Sequence, residues 1–318
     1  MTLSLTCKLM LGSLITMMMT AHAAEHVSTT ISHSIHPITH SHRSSAEVLA
    51  ASSDAEWYEL KQDNLIYITL NNGRLVVMEL NDTFAPQHAD QIRRLAKAAY
   101  WDGVPVYRVQ DNYVVQFGAL DYATDTLMKP LPPDAVKLPA EFTIPAHSLQ
   151  MMALEDVDAH ADRVGFVNGY PAGIKGDQAF LVHCYGMVGA ARDDAPDSSN
   201  ATELYVMIGQ PARHIDRQIS VVGRVVHGIE QLSSLPRGTG AMGFFEAGGH
   251  PLDIQSIRLG SDLPKSAQLR FRALDTNSQS FVQFVNARRH MQGGWFAAPV
   301  SGRLGVCDVR QTIQVIEG

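Results

Sequence analysis

Two β-rich runs, Leu-Ile-Tyr-Ile-Thr-Leu at 65–70 and Arg-Leu-Val-Val-Met-Glu-Leu at 74–80, are separated only by Asn71-Asn72-Gly73. Asn-Gly between two such runs is a strong hairpin signal, because a type I′ turn needs positive φ at both central residues. The organised part of the chain therefore opens as paired strands. Asn81-Asp82-Thr83 then offers helix caps, with Pro86 near the first turn. Ala89, Ile92, Leu95, Ala96 and Ala99 recur at spacings of three and four, which predicts a helix over 87–100 ended by Trp101-Asp102-Gly103. Short strands are expected at 104–109 and 113–117, around Gln110-Asp111-Asn112.

Composition narrows the function classes. With 318 residues, 45% of them hydrophobic, the chain can bury a sizeable core as one large domain or two smaller ones. A net charge of −7 argues against a nucleic-acid binder, which would normally carry a basic excess. Residues 1–23 read as a secretory signal peptide: one basic residue, Lys8, an apolar stretch over 9–19, then Ala21-His22-Ala23 as a cleavage pattern. The apolar stretch is too short for a membrane span of about 20 residues. Loss of this segment takes the net charge from −7 to −8 and leaves Cys184 and Cys307. The expectation is an exported, periplasmic protein with no membrane span in its mature form. Residues 24–55 are Ser/Thr/Ala/His-rich and read as a flexible linker. Its five histidines, from His26 to His42, leave a metal-capturing tail as a lesser alternative.

A family resemblance enters with the segments that follow the hairpin. Val104-Pro105-Val106-Tyr107-Arg108-Val109 and Tyr113-Val114-Val115-Gln116-Phe117-Gly118 resemble the Phe-His-Arg strand and the Gln-Gly-Gly-Asp strand of cyclophilin-type peptidyl-prolyl isomerases. Downstream, Gly186-Met187-Val188-Gly189-Ala190-Ala191 resembles the family's Gly-x-[Val/Leu]-Ser-Met-Ala strand. Glu203-Leu204-Tyr205-Val206 is similar to its Gln-Phe-Phe-Ile, and 214–225 to its Trp-Leu-Asp-Gly-x-His segment. Each motif alone is weak; their order together is specific. The resemblance covers roughly 60–260. It implies a mainly β fold, a closed eight-stranded antiparallel barrel capped by two helices, over 56–260. A long insertion at about 121–184 and a C-terminal extension at 261–318 fall outside it. The second helix is expected at 226–235 and the closing strand at 254–259.

The resemblance also implies the chemistry. A prolyl amide must rotate against a barrier of about 18–20 kcal/mol that comes from N–C resonance. Rotation localises the lone pair on the prolyl nitrogen, so a fixed donor aimed there binds the twisted amide better than the planar one. Arg108 takes that role, and Gln116 holds the substrate backbone. The proline ring needs an apolar slot, for which the matching positions are Tyr113, Val114, Tyr205, Ile215 and Ile219, with Glu203 at its edge. No cofactor and no metal is required. Taken alone, Arg108 reads as an ordinary strand arginine paired with a surface acid. Its neighbours Val106-Tyr107 and the Tyr113/Gln116 pair point to catalysis. Tyr113, Tyr205 and Ile215 read equally well as barrel core.

Departures from the family pattern bear on rate and substrate range. Tyr113 and Tyr205 replace phenylalanines, and each added hydroxyl needs a partner if buried. His214 stands where many members have tryptophan, Ile219 where they have histidine, and Glu203 where they have glutamine. A cyclosporin-type ligand is expected to bind weakly. Arg192–Asn200 forms an acidic stretch, read as a solvated loop. In the insertion, Pro130, Pro132 and Pro133 suggest extended chain. Glu155, Asp156, Asp158, Asp162, His160 and His183 read as a scattered acidic loop rather than metal ligands. The extension carries a helix candidate at 278–291 and strands at 306–309 and 312–316, expected to pack on the barrel. Cys184 and Cys307 can pair in an oxidising compartment if the fold brings their Cα atoms together, which their separation of 123 positions does not show. The leading function is prolyl isomerisation in unfolded or exported polypeptides by a monomer. The alternative is a cyclophilin-like chaperone or peptide-binding module with little turnover.

Overall fold

The computed structural model describes residues 43–121, 126–133, 135–246 and 249–316. The expected signal peptide and the linker up to residue 42 lie outside them. Eight strands form one antiparallel sheet in the order Ile254–Leu259, Leu65–Leu70, Leu75–Leu80, Val221–His227, Met187–Ala190, Leu204–Met207, Val114–Phe117, Val106–Val109. The two outer strands meet. Pro105 bridges to Asp253, the Val106 N–H donates to Leu252 O at 3.0 Å, and the Ile254 N–H donates to Val104 O at 2.8 Å. Closure removes both sheet edges, and the strands alternate their side chains between interior and exterior. Ile66, Ile68 and Leu70 point inward, while Leu65 and Tyr67 face out. Val115, Phe117, Val188 and Val206 fill the interior. The barrel matches the mainly β fold class read from the sequence.

The Pro86–Lys97 helix closes one end with Ala89, Ile92, Leu95 and Ala96 in the barrel core. It stops at Lys97 instead of running on to Tyr100. Ala99 adopts φ 52°, turning the chain so that the fully buried Trp101 can donate its indole N–H to Thr202 O at 2.7 Å. The second capping helix is a single turn, Glu230–Ser233. Val226 and His227 stay in a strand, His227 opposite Val77. Strand pairing thus takes residues that the sequence reading gave to the helix.

The first hairpin turn is also different. Only Gly73 has positive φ, and the Gly73 N–H donates to Leu70 O at 2.8 Å. Asn71 makes this a three-residue loop, which suits a type I turn followed by a left-handed glycine. The two-residue turn with positive φ at both positions occurs instead at Asn168-Gly169, at φ 50° and 84°, between Val167 and Tyr170.

That second hairpin belongs to an element the sequence reading gave to extended and acidic loop. Residues 144–181 form a five-stranded antiparallel sheet in the order Ile144–Pro145, Gln178–Leu181, Tyr170–Lys175, Arg163–Val167, Met152–Leu154. Phe166, Ile174 and Phe180 build a second core with Phe281, Phe284 and Val285 of the Gln279–Arg289 helix. The carboxylates of the insertion are joints. Asp156 accepts from Arg289 at 2.5 Å, Asp162 from Lys175 at 2.7 Å, and Asp158 from Arg213 at 2.7 Å. Among the described residues no group of three or more His, Cys, Asp or Glu side chains gathers to hold a metal ion.

The C-terminal segment contributes Arg270–Leu274, which pairs with Trp57–Glu59 and with Ile313–Ile316. Its fully buried Phe271 lies in one cluster with Leu65, Tyr67 and Val77 on the outside of the barrel. The strand expected at 306–309 is a 3₁₀ turn, Val306–Asp308. Within that turn Cys307 bonds Cys184, Cα–Cα 5.2 Å. The linker boundary at residue 55 is likewise corrected. Ser45–Ala50 is helical, with a Ser44–Glu47 capping box and Val48 buried in the second core. Among the described residues no helix is long and apolar enough to cross a membrane.

Candidate active site

Three strands bring one row of side chains together on the outer face of the barrel. Arg108 sits opposite Gln116, Gln116 opposite Tyr205, and Tyr205 opposite Gly189. A register shift between Val106 and Arg108 lets Val106 and Val109 stay in the core while Arg108 faces outward. The Arg108 guanidinium is held from several sides. Its Nε–H donates to Met242 O at 2.9 Å, Nη1 to Gln116 Oε1 at 3.2 Å, and Nη2 to Gln110 Oε1. The Phe244 ring lies 5.0 Å from its central carbon and the Tyr113 ring 5.7 Å. Such contacts fix the plane of a cationic fork without removing its charge.

The expected apolar positions cluster beside the same row. Val114 and Tyr205 are 3% and 5% exposed and belong to the second core. Tyr113, Ile215 and Ile219 are half-buried against the same cluster. His214 stacks on Tyr113 with ring centres 6.3 Å apart. The Tyr205 ring lies flat across Gly189, where an added Cβ would stand 2.2 Å from the ring. Glycine at this position, where the family carries serine, is thus a packing requirement of the tyrosine.

Glu203 departs from its expected place. It sits two residues before Tyr205 on the same face, but its carboxylate accepts the Ala119 N–H at 3.0 Å instead of facing the apolar slot. Burial pushes its pKa up to about 7, opposed by hydrogen bonds from Tyr107 and from the Ala119 and Leu120 N–H groups.

The hydroxyl of Tyr205 finds a partner that the motifs did not point to. It lies 3.0 Å from His183 Nε2, and His183 Nδ1 lies 2.9 Å from Asp216 Oδ1. Arg213 Nε donates to the other Asp216 oxygen at 2.6 Å, and its two terminal nitrogens donate to Asp158 at 2.7 and 2.9 Å. Burial, with Tyr113 and Asp216 nearby, holds the Tyr205 hydroxyl well above the usual tyrosine pKa. Met242 and Phe244, which hold Arg108, also escaped the motifs. They come from a loop that reaches Arg108 through an isolated bridge between Arg108 and Phe244.

An arginine, a glutamine and a tyrosine thus stand in one row on the outer face of a closed antiparallel barrel. Residues 65–247 match the family model described as "Cyclophilin type peptidyl-prolyl cis-trans isomerase/CLD". The match spans more than half of the chain, and the chain belongs to the cyclophilin-type peptidyl-prolyl cis-trans isomerase family. It is 26% identical over 179 residues to a probable peptidyl-prolyl cis-trans isomerase of Brucella suis, covering 56% of this chain and 74% of that one. The corresponding protein of Brucella abortus is 25% identical over the same length. In three dimensions it is similar to the cyclophilin AquaCyp293 of Hirschia baltica. The TM-score is 0.66 at 23% identity, over 86% of this chain and 97% of the other.

Proposed function

We propose that this cyclophilin-type isomerase speeds prolyl bond rotation in exported polypeptides by donating from Arg108 to the prolyl nitrogen of the twisted amide. The observation that carries the reading is the row Arg108–Gln116–Tyr205, with Arg108 clamped by Met242 O, Gln116 and the Phe244 ring. A donor already fixed in place needs no reorganisation when charge localises on the nitrogen, which is the condition for lowering the barrier. Gln116 stands between the arginine and Tyr205, where it can bond the peptide backbone. Val114, Tyr113, Tyr205, Ile215 and Ile219 take the proline ring. Uncatalysed exchange takes tens to hundreds of seconds, slow enough to limit folding.

The exported setting is supported by the signal-like residues 1–23 and by the Cys184–Cys307 disulfide, a bond that persists in oxidising compartments. The binding-module reading draws support from His214, which lies against Tyr113 where the family's tryptophan would stand. One assay separates the two. Prolyl isomerisation by the full chain, with a loss of about 10²–10³-fold in Arg108→Ala, supports catalysis at the scale of one oriented donor. Equal rates for the two proteins would leave only binding.

A further inference from the structure

The tyrosine at position 205 brings a hydroxyl to the wall of a slot that must accept an apolar ring. An unsatisfied hydroxyl there would favour water over proline. The hydrogen-bond directions around His183 decide where it goes. Asp216 Oδ1 receives the His183 backbone N–H at 3.0 Å and lies 2.9 Å from His183 Nδ1. A carboxylate opposite a ring nitrogen accepts, so in the neutral imidazole Nδ1 carries the proton and Nε2 presents its lone pair. The Tyr205 O–H, 3.0 Å away, therefore donates to Nε2 and turns its hydrogen out of the slot. Behind this pair, Arg213 joins Asp216 to Asp158 of the insertion. His214 and Ile215, which flank the slot, sit on the same Arg213–Ile215 turn. All five side chains of the chain Tyr205–His183–Asp216–Arg213–Asp158 are buried or nearly so.

We infer that His183 is a positioning residue of the isomerase site: it takes the Tyr205 hydroxyl out of the proline slot, and the Asp216–Arg213–Asp158 chain anchors that arrangement to the insertion sheet. The insertion is then part of the substrate site and not an ornament on the barrel. The inference rests on the reading of this groove as the proline site. It assigns to this chain a histidine whose need arises from the tyrosine that replaces phenylalanine.

The test is a two-by-two cycle of His183→Leu and Tyr205→Phe, read as the Kd of an Ala-Ala-Pro-Phe peptide and, separately, as kcat. Thermal unfolding confirms that each variant is folded. His183→Leu should weaken the peptide about tenfold in the Tyr205 background, with kcat changed little. In the Tyr205→Phe background the same substitution should cost less than about twofold, because no hydroxyl is left to place. These ratios are of the size expected for one hydrogen bond in an apolar site. Equal losses in both backgrounds would overturn the inference. His183→Gln is the second variant, since its side-chain oxygen accepts the hydroxyl and its amide donates to Asp216. It should keep Kd within about twofold of wild type, and it carries the test alone if His183→Leu does not fold. A loss in His183→Gln as large as tenfold would also overturn it. Peptide binding without turnover in the wild type would count against catalysis while still reading the cycle, so the two ideas fail separately.

Discussion

Arg108 and Arg224 both leave the outer face of the barrel, from the Val106–Val109 and Val221–His227 strands, and they meet very different surroundings. Arg224 is 1% exposed. Its Nε donates to the Glu79 carboxylate at 2.8 Å, Nη1 donates to Gly169 O at 2.6 Å, and its guanidinium lies 4.2 Å from the Tyr170 ring centre. The Tyr170 hydroxyl donates to the same Glu79 oxygen at 3.1 Å. The insertion covers this arginine and supplies two of its partners. Arg108 is half-buried, and the oxygens it reaches at Met242, Gln116 and Gln110 are neutral. A guanidinium closed over by a carboxylate and an aromatic ring is a fastener. One that stays half-buried on the barrel surface is still open to a substrate.

The comparison can be broken from either side. The largest expected effect is on stability at Arg224. Arg224→Met leaves the buried Glu79 carboxylate without its cation and should cost about 3–5 kcal/mol in denaturant unfolding. Adding Glu79→Leu should recover much of that loss, because both charges then leave together. Activity per folded molecule should change little. A mild Arg224→Met would mean that water, not the ion pair, stabilises this site.

The next effect tests how firmly the insertion and the extension are tied. Cys184 and Cys307 close a loop of 123 positions. Cys307→Ser should lower stability by about 2–4 kcal/mol. It should also leave Arg108-dependent turnover largely in place, since the Met242, Gln116 and Gln110 oxygens that orient Arg108 lie on other segments. A smaller fall would indicate that strand pairing of Ile313–Ile316 already holds the segment.

The smallest effect sharpens the groove side and depends on pH. The folded pKa of Glu203 is raised to about 7 from an ordinary 4.5, so the folded state binds the extra proton between those values. Its share of stability is complete below about pH 4.5 and is lost as pH rises through about 7. Glu203→Gln should therefore match wild type near pH 4.5 and gain up to about 3 kcal/mol over it by pH 8. Thermal unfolding of the two proteins across that range reads the difference. A gap that narrows with rising pH would contradict the assignment.

How much of this was legible in the chain differs between the two regions. The first barrel hairpin announces itself by composition, because two β-rich runs, Leu65–Leu70 and Leu75–Leu80, flank Asn71-Asn72-Gly73. Arg108 and Gln116 are legible as candidates because they sit within short motifs. The insertion sheet hides for two physical reasons. Arg163–Val167 is short and carries Gly165 at its centre, and Pro171 lies inside the Tyr170–Lys175 strand, so both strands carry a residue that weakens the strand signal. Its core partners, Phe281 and Phe284, come about a hundred residues later. His183 could not be read as a site residue because its partners Tyr205 and Asp216 lie 22 and 33 positions away, with no fixed spacing to mark them. The sequence did raise the right question at Tyr205, a buried hydroxyl in want of a partner, without naming the histidine that answers it.

Measuring prolyl isomerisation and thermal unfolding side by side on wild type, Arg108→Ala and Arg224→Met tests the central claim most directly. Arg108→Ala should lose about 10²–10³-fold in kcat/KM with stability kept within about 1 kcal/mol, while Arg224→Met should do the reverse. An Arg108→Ala protein that turns over at the wild-type rate would contradict the account.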